Sequence, residues 1–290
     1  MTYSFTGIWV PLVTPFHDGA IDFGALRRLA RRMADAGVAG LVVCGSTGEA
    51  ATLSHAEQLA ALDAVLEAAP DCPVVMGVSG NHLPSLLETL RQLGARPLAG
   101  LLVPPPCYIR PSQAGVIEYF RIVADAAPAP LILYDIPYRT GVALELETVR
   151  AIAAHQGVAA IKDCGGRPGQ TMDLIGDARL DVLTGEDMQI FTTLCLGGAG
   201  AIAASAHIRP DLFVQLASLA RAGQLEPARA IFYRLLPLIR LLFSEPNPAP
   251  LKQALALMGC LRHELRAPMT QAGAATAILL KRELARLDCL

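Results

Sequence analysis

The sequence predicts a (β/α)8 barrel, a TIM barrel, that is followed by a C-terminal extension of three helices. Two observations predict it. Short, continuously apolar runs alternate with helical patterns eight times before residue 221, and the interval from one run to the next is about 20–35 residues, which is the length of a βα unit. A doubly wound sheet is the alternative, but that fold usually has fewer strands and one recognisable nucleotide-binding turn.

The eight runs are apolar at successive positions rather than at alternate ones. This is the pattern of parallel strands that are covered on both faces. The predicted strands lie at 7–16, 40–45, 73–79, 100–106, 131–137, 157–164, 181–187 and 198–206.

The stretches between the strands carry apolar residues at spacings of three and four, which indicates helices. Ser54 followed by Glu57 forms a capping-box pattern at the start of one of them. Residues 222–290 contain no strand pattern. We therefore predict a catalytic barrel domain at 1–221 and a helical extension at 222–290, with helices within 224–243, 249–260 and 270–287.

Composition limits the classes of function. The chain has 290 residues, of which 53% are hydrophobic, and its formal net charge is −2. The charge gives no reason to expect a nucleic-acid partner. Seven scattered cysteines without a disulfide framework indicate a reducing, cytoplasmic location. The start of the chain shows no leader pattern, and no apolar run has the length and flanks of a membrane span.

Lysine is rare in this chain, which contains Lys162, Lys252 and Lys281 alone. Lys252 and Lys281 lie in polar-patterned helical stretches and are expected to be solvated. Lys162 ends a buried strand, where a hydrated ammonium group is costly. It either pairs with Asp163 or Asp187, or acts as a nucleophile that forms a Schiff base with a ketone.

Polar residues cluster where the predicted strands end, which is the catalytic face of a barrel. Tyr134 is either a core aromatic residue or a proton carrier beside the strand of Lys162. The segment 44–50, CGSTGEA, is either a tight turn or a nest of N–H groups and hydroxyls for a carboxylate. The other candidates are Ser46, Thr47, Glu49, Tyr108, Arg110, Asp135, Arg139, Asp163, Glu186 and Asp187.

Four further interpretations receive less support. The GAGAIA segment at 198–203 matches a dinucleotide-binding pattern, but it lies in the eighth unit and lacks the acidic residue that should follow. The six histidines show no ligand spacing, so we expect no metal. A non-enzymatic sensor built on the barrel, or a phosphate-binding barrel enzyme, are the remaining alternatives.

Taken together, several stretches resemble the pyruvate-dependent class I aldolases, the superfamily of dihydrodipicolinate synthase and N-acetylneuraminate lyase. The resemblance runs from residue 7 to about 252. It is most specific in three elements, which occur in the order Gly-Ser/Thr-Thr-Gly-Glu, Tyr-x-x-Pro-x-x-Thr-Gly and Ile-Lys-Asp/Glu. The matching stretches are GIWVPLVTPF, GSTGEAATLSHAE, YIRPSQ, LILYDIPYRTG, AAIKDCGG, LTGED, GGAGAIA and EPNPAPLK.

The resemblance implies catalytic roles for four residues. Lys162 matches the lysine that forms an imine with pyruvate, so no separate cofactor is expected. Tyr134 matches the tyrosine that relays protons at the imine carbon. Ser46 stands where threonine is usual and keeps the hydroxyl. Tyr108 matches the third relay member, which reaches into the site of a neighbouring subunit.

The resemblance also implies binding roles. Thr47 matches the residue that receives the pyruvate carboxylate, while Gly185 and the main chain of Ile202 line the site. Arg139 matches the arginine that holds the carboxylate of an incoming semialdehyde. This arginine favours dihydrodipicolinate synthase, which makes 4-hydroxy-tetrahydrodipicolinate from pyruvate and L-aspartate 4-semialdehyde, over the lyases of neutral sugars.

Departures from the family pattern leave an alternative open. Asp135 stands where asparagine is usual, and Cys164 stands where alanine is common. Another pyruvate-forming 2-oxoacid aldolase or hydratase-aldolase of the superfamily is therefore the second hypothesis. The resemblance further implies a homotetramer built as a dimer of dimers. It also implies weak inhibition by lysine, because Ser85 replaces a glutamate of the family's regulatory cleft.

Overall fold

Parallel strands close into a barrel in the computed structural model, which describes residues 4–290. Within these residues eight strands form the barrel, and each lies beside its neighbours in the sequence, with the first closing on the last. The predicted (β/α)8 fold is confirmed. The strands are β1 Gly7–Pro11, β2 Gly40–Val43, β3 Val74–Gly77, β4 Gly100–Val103, β5 Leu131–Asp135, β6 Val158–Asp163, β7 Asp181–Thr184 and β8 Gly200–Ile202.

The strands are buried almost throughout, as their continuous apolar character predicts. At one position in the barrel, a close contact between neighbouring strands requires glycine. Trp9 of β1 and Gly40 of β2 are partners in the parallel register. A Cβ atom at Gly40 would overlap the indole ring of Trp9. Glycine at this position therefore makes room for a large aromatic side chain between two strands.

Helices fill the intervals between the strands, and several begin with side-chain caps. Asp22 caps α1, and Ser54 with Glu57 forms the predicted capping box at the start of α2. Within residues 4–290 the helices up to the end of the barrel are α1 Phe23–Asp35, α2 His55–Ala68, α3 Leu83–Leu93, α4 Gln113–Ala126, α5 Pro137–Thr140, α6 Leu146–Ala153, α7 Pro168–Asp177, α8 Ile190–Cys195 and α9 Pro210–Arg221.

Three more helices follow, where the sequence predicts a helical extension. They are α10 Leu225–Leu242, α11 Ala249–Leu257 and α12 Ala274–Arg286. The chain also divides into two compact units. One contains Val74–Ile202, and the other contains Gly7–Pro73 together with Ala203–Leu290. The predicted domain boundary after residue 221 stays a prediction. Residues 1–3, where the first predicted domain begins, lie outside the described residues.

One small element is absent from the sequence-based prediction. Phe16–His17 and Ala20–Ile21 pair as an antiparallel hairpin. Asp18 and Gly19 form its turn with φ values of 52° and 78°, the left-handed conformation that an Asp-Gly hairpin turn adopts. Among residues 4–290 no helix combines the length and apolar character needed to cross a membrane.

Candidate active site

Lys162 and Tyr134 lie side by side on neighbouring strands. They are partners in the register of β5 and β6, and both are the penultimate residues of their strands. The Nζ atom of Lys162 lies 4.3 Å from the centre of the Tyr134 ring. The Lys162 residue is 5% exposed. The structure therefore places an amine and a phenol together at the carboxyl end of the barrel strands.

Lys162 forms no ion pair with any carboxylate of residues 4–290. Of the two predicted partners, Asp163 accepts a hydrogen bond of 2.8 Å from the Gly165 amide and one of 2.5 Å from the Thr171 hydroxyl. The salt-bridge interpretation of Lys162 is therefore wrong for Asp163 and Asp187 alike. A buried amine that lacks a counter-ion is the arrangement that a Schiff-base nucleophile requires.

Lys252 provides an internal contrast, because it is also buried but fully engaged. It is 0% exposed, so the expectation that it is solvated is wrong. Its Nζ atom forms an ion pair with Glu49, donates a 2.9 Å hydrogen bond to the Glu264 carbonyl and lies 4.1 Å from the centre of the Phe16 ring. The expectation for Lys281 is confirmed, since that residue is exposed.

Gly185 forms the wall next to Lys162. Its amide donates a 2.8 Å hydrogen bond to the Asp163 carbonyl, and a Cβ atom at this position would overlap the stem of Lys162 and the Cys164 sulfur. Burial raises the pKa of the Cys164 thiol well above its usual range. Burial, with the nearby Asp187, also raises the pKa of Glu186. The surroundings of Lys162 are thus tightly packed, and none of the nearby carboxylates of the described residues forms an ion pair with its amine.

Asp135, which departs from the pattern that the resemblance implies, has a structural partner that accounts for a carboxylate at this position. Its Oδ2 atom accepts a 2.8 Å hydrogen bond from the Arg167 guanidinium, and its Oδ1 atom accepts one of 3.1 Å from the Leu144 amide. The same Arg167 nitrogen donates to the Leu144 carbonyl at 2.6 Å. Burial raises the pKa of Asp135 and Arg167 opposes this shift. The pair ties the end of β5 to the far end of segment 136–144.

That segment carries Arg139. It begins with the short helix α5, and the exposed Arg139 guanidinium lies 5.7 Å from the centre of the Tyr138 ring. Tyr108 is joined to the same helix, because its amide donates a 3.1 Å hydrogen bond to the Thr140 carbonyl. Tyr108 is 91% exposed and has a φ of 72°. Within its own chain the Tyr108 side chain therefore faces solvent.

Ser46 and Thr47 follow β2 in a short 3-10 turn, Ser46–Gly48. Thr47 is buried, and its Oγ1 atom accepts a 3.0 Å hydrogen bond from the side-chain amide of Asn247. The Gly48 carbonyl accepts a 2.6 Å hydrogen bond from the Thr14 hydroxyl. Sequence reasoning does not single out Asn247, although it lies in the EPNPAPLK stretch. Ile202, at the end of β8, is buried, and its predicted role in lining the site stays a prediction.

The comparisons with known proteins agree with this architecture. The family model of the dihydrodipicolinate synthetase family matches residues 4–285. This chain belongs to that family. A 4-hydroxy-tetrahydrodipicolinate synthase of Sorangium cellulosum is 41% identical over 290 residues, which cover 98% of this chain and 96% of the relative.

Two solved structures extend the comparison. The dihydrodipicolinate synthase of Thermotoga maritima superposes with a TM-score of 0.96 at 32% identity, covering 99% of this chain and 100% of that one. The chloride-inhibited synthase of Acinetobacter baumannii, solved in complex with pyruvate, gives a TM-score of 0.96 at 28% identity with the same coverage of 99% and 100%. The family predicted from the sequence motifs is confirmed.

Proposed function

We propose that this protein condenses pyruvate with L-aspartate 4-semialdehyde to give 4-hydroxy-tetrahydrodipicolinate, a step of lysine and diaminopimelate biosynthesis. The observation that carries the proposal is the buried Lys162 amine, without a carboxylate partner in residues 4–290, at 4.3 Å from the Tyr134 ring. Membership of the family and the names of its close relatives support the choice of substrates.

The first chemical step joins Lys162 to pyruvate. The neutral amine attacks the C2 carbonyl carbon and gives a carbinolamine, which loses water to become an imine. The hydroxyl of Tyr134 supplies the proton that the departing hydroxide needs, which is the contribution of a general acid. The protein's own lysine holds the reacting carbon, so the reaction requires no separate cofactor.

The second step forms the carbon–carbon bond. Loss of a proton from the methyl group of the imine gives an enamine, whose terminal carbon attacks the aldehyde carbon of the semialdehyde. The amino group of the semialdehyde portion then replaces Lys162 at C2, which closes the ring and releases the lysine. One water molecule leaves in the overall condensation.

The other predicted site residues receive their roles by proposal. Ser46 and Tyr108 extend the proton relay from Tyr134, with Tyr108 serving the site of a neighbouring subunit in a homotetramer. Its 91% exposure in the single chain supports that assignment. Thr47 receives the pyruvate carboxylate, Gly185 and the Ile202 main chain line the site, and Arg139 binds the carboxylate of the semialdehyde.

We further place the enzyme in the cytoplasm, with small-molecule substrates and no nucleic-acid partner. Its seven cysteines, all within residues 4–290, form no disulfide bond. Free thiols are typical of a reducing compartment.

A panel of aldehydes incubated with pyruvate, followed by product mass, tests the substrate assignment. We expect L-aspartate 4-semialdehyde to give the highest kcat/KM, and neutral sugar aldehydes to react slowly. The Asp135 and Cys164 departures favour the second candidate, another pyruvate-forming aldolase or hydratase-aldolase. A neutral aldehyde that reacts as fast as the semialdehyde would support that candidate and contradict the first.

A further inference from the structure

We propose that the buried ion pair of Lys252 and Glu49 is a positioning device, which holds the loop 45–49 so that Thr47 can bind the carboxylate of pyruvate. The inference rests on the proposed function, because that function assigns the carboxylate to Thr47. It adds two residues to those of the proposed site, Lys252 from the C-terminal extension and Glu49 from the loop itself. Neither is assigned a contact with substrate.

The loop has a backbone conformation that needs support. Cys44, directly before the loop, and Glu49, at its end, have φ values of 57° and 54°. Non-glycine residues adopt this left-handed conformation at a cost, so it persists where surrounding contacts over-determine it. The side chain of Glu49 supplies those contacts. One carboxylate oxygen pairs with Lys252, and the other accepts a 3.1 Å hydrogen bond from the Arg266 amide.

The residues that contact the Glu49 carboxylate belong to the C-terminal extension. Lys252 lies in α11, and its ammonium group reaches Glu49, the Glu264 carbonyl and the face of Phe16. The Arg266 guanidinium donates to the Thr52 carbonyl at 2.9 Å. The pair is shielded from water, so breaking it from one side leaves an uncompensated buried charge. The loop is therefore fixed by charge as well as by packing.

Glu49 lies two residues from Thr47, so a change in the backbone conformation of Glu49 displaces the Thr47 hydroxyl, to which we assign the pyruvate carboxylate. Between them the Gly48 carbonyl is held by Thr14. Thr47 Oγ1 itself accepts a hydrogen bond from the Asn247 amide. An accepting Oγ1 keeps its own proton to donate, and a carboxylate is the ligand that such a donor suits.

The test measures pyruvate binding separately from the reactivity of Lys162. The readout is the ketone concentration that gives half-maximal borohydride trapping at Lys162, determined for pyruvate and for acetone, which lacks a carboxylate. The main variant is Lys252→Met with Glu49→Gln, which removes both charges together. We expect the half-maximal concentration to rise about tenfold or more for pyruvate and to change little for acetone. The reason is that the charge-assisted hydrogen bond from Thr47 to the pyruvate carboxylate is weakened.

Lys281→Met is the matched control, because it removes an exposed lysine from the same extension, and it should leave both values unchanged. Lys252→Gln with Glu49→Gln, which replaces the ion pair by two neutral amides that can hydrogen-bond to each other, gives the same readout if the first double variant does not fold. An unchanged value for pyruvate, or equal weakening of pyruvate and acetone, would overturn the inference. Failure of the unaltered protein to trap pyruvate would contradict the proposed function instead.

Discussion

The two buried lysines show that burial alone does not assign chemistry to a residue. Lys252 has a carboxylate, a carbonyl and an aromatic face around its ammonium group, so its positive charge is compensated. Lys162 lies against the Tyr134 ring and forms no ion pair with a carboxylate of the described residues. An amine that no carboxylate holds is available to attack a ketone. The partners of each residue therefore distinguish Lys252, which is held in an ion pair, from Lys162, which we propose to be reactive.

Tyr134→Phe should retain the fold and lose turnover by about 10²-fold or more, because it removes a general acid while keeping the ring that packs against Lys162. Steady-state kinetics and circular dichroism of the purified variant measure the two effects. Tyr233→Phe, at an exposed tyrosine of α10, is the matched control and should retain full rate. Full turnover in Tyr134→Phe would refute the proton-relay role.

Arg139→Ala should raise the KM for L-aspartate 4-semialdehyde by about tenfold or more and that for pyruvate far less. The guanidinium is assigned to the carboxylate of the semialdehyde, and a charge-assisted hydrogen bond of this kind contributes about 1.5–3 kcal/mol. Separate titrations of the two substrates provide the comparison. Arg121→Ala, at an exposed arginine of α4, is the control. Equal increases in the two KM values would contradict the assignment.

At the scale of elements, the loops after the strands are tied down by pairs between distant segments. Asp135 and Arg167 close the segment that carries Arg139, and Asn247 and Lys252 hold the loop that carries Thr47. In both ties the carboxylate, of Asp135 or of Glu49, is buried. The barrel supplies strand ends at fixed positions, and these ties set the conformation of the loops that extend from those ends.

Helix α3 supports a prediction about regulation. The resemblance implies that a glutamate near the start of this helix would pair with the ammonium group of a lysine inhibitor, and Ser85 stands here instead. Ser85 Oγ lies 2.7 Å from His82 Nδ1, while Glu88, one turn on, is bound by Arg91 and Gln92. An ammonium ligand without an acidic partner loses about tenfold to a hundredfold in affinity.

We therefore expect little inhibition at millimolar lysine, measured as initial rate against lysine concentration. Ser85→Glu should restore inhibition at lower concentrations. Strong inhibition at tens of micromolar lysine that is relieved by Glu88→Ala would show that Glu88 takes the role of the missing acid.

At the scale of the whole molecule, the sequence predicts the features that depend on local pattern. The eight strands are continuous apolar runs, and Lys162 and Tyr134 stand out because each lies at the end of such a run. The ties of Asn247 to Thr47 and of Lys252 to Glu49 join residues about 200 positions apart. Such contacts leave no periodic pattern in the sequence. For this reason the polar pattern of the helical stretch around Lys252 wrongly predicts a solvated side chain. The hairpin at 16–21 does have a local signal, its Asp-Gly turn. It lies beside a longer apolar run that dominates the pattern, and the sequence-based prediction therefore omits it.

His207 makes the stability of the protein depend on pH. It is fully buried, its Nε2 atom accepts a 3.2 Å hydrogen bond from the Val13 amide, and Nδ1 donates to the Ala204 carbonyl at 2.8 Å. Burial lowers its pKa from 6.5 to about 4. The unfolded chain binds this proton more readily, so the stabilisation is complete above pH 6.5 and is lost as the pH falls to 4, by about 3 kcal/mol.

Urea unfolding at a series of pH values between 7 and 4 measures this dependence. His207→Gln, which keeps an acceptor for Val13 and does not titrate, should show a shallower loss of stability with falling pH. His17→Gln, at an exposed histidine, should follow the unaltered protein. Identical pH dependence in His207→Gln would contradict the assignment.

The central claim is that Lys162 forms the imine, and borohydride reduction in the presence of pyruvate tests it most directly. Reduction should add one stable pyruvate-derived mass to the peptide that contains Lys162. Lys162→Arg should abolish the addition, because guanidinium stays protonated and does not attack a ketone. Addition at the peptide of Lys252 or Lys281, or addition that survives Lys162→Arg, would contradict the account.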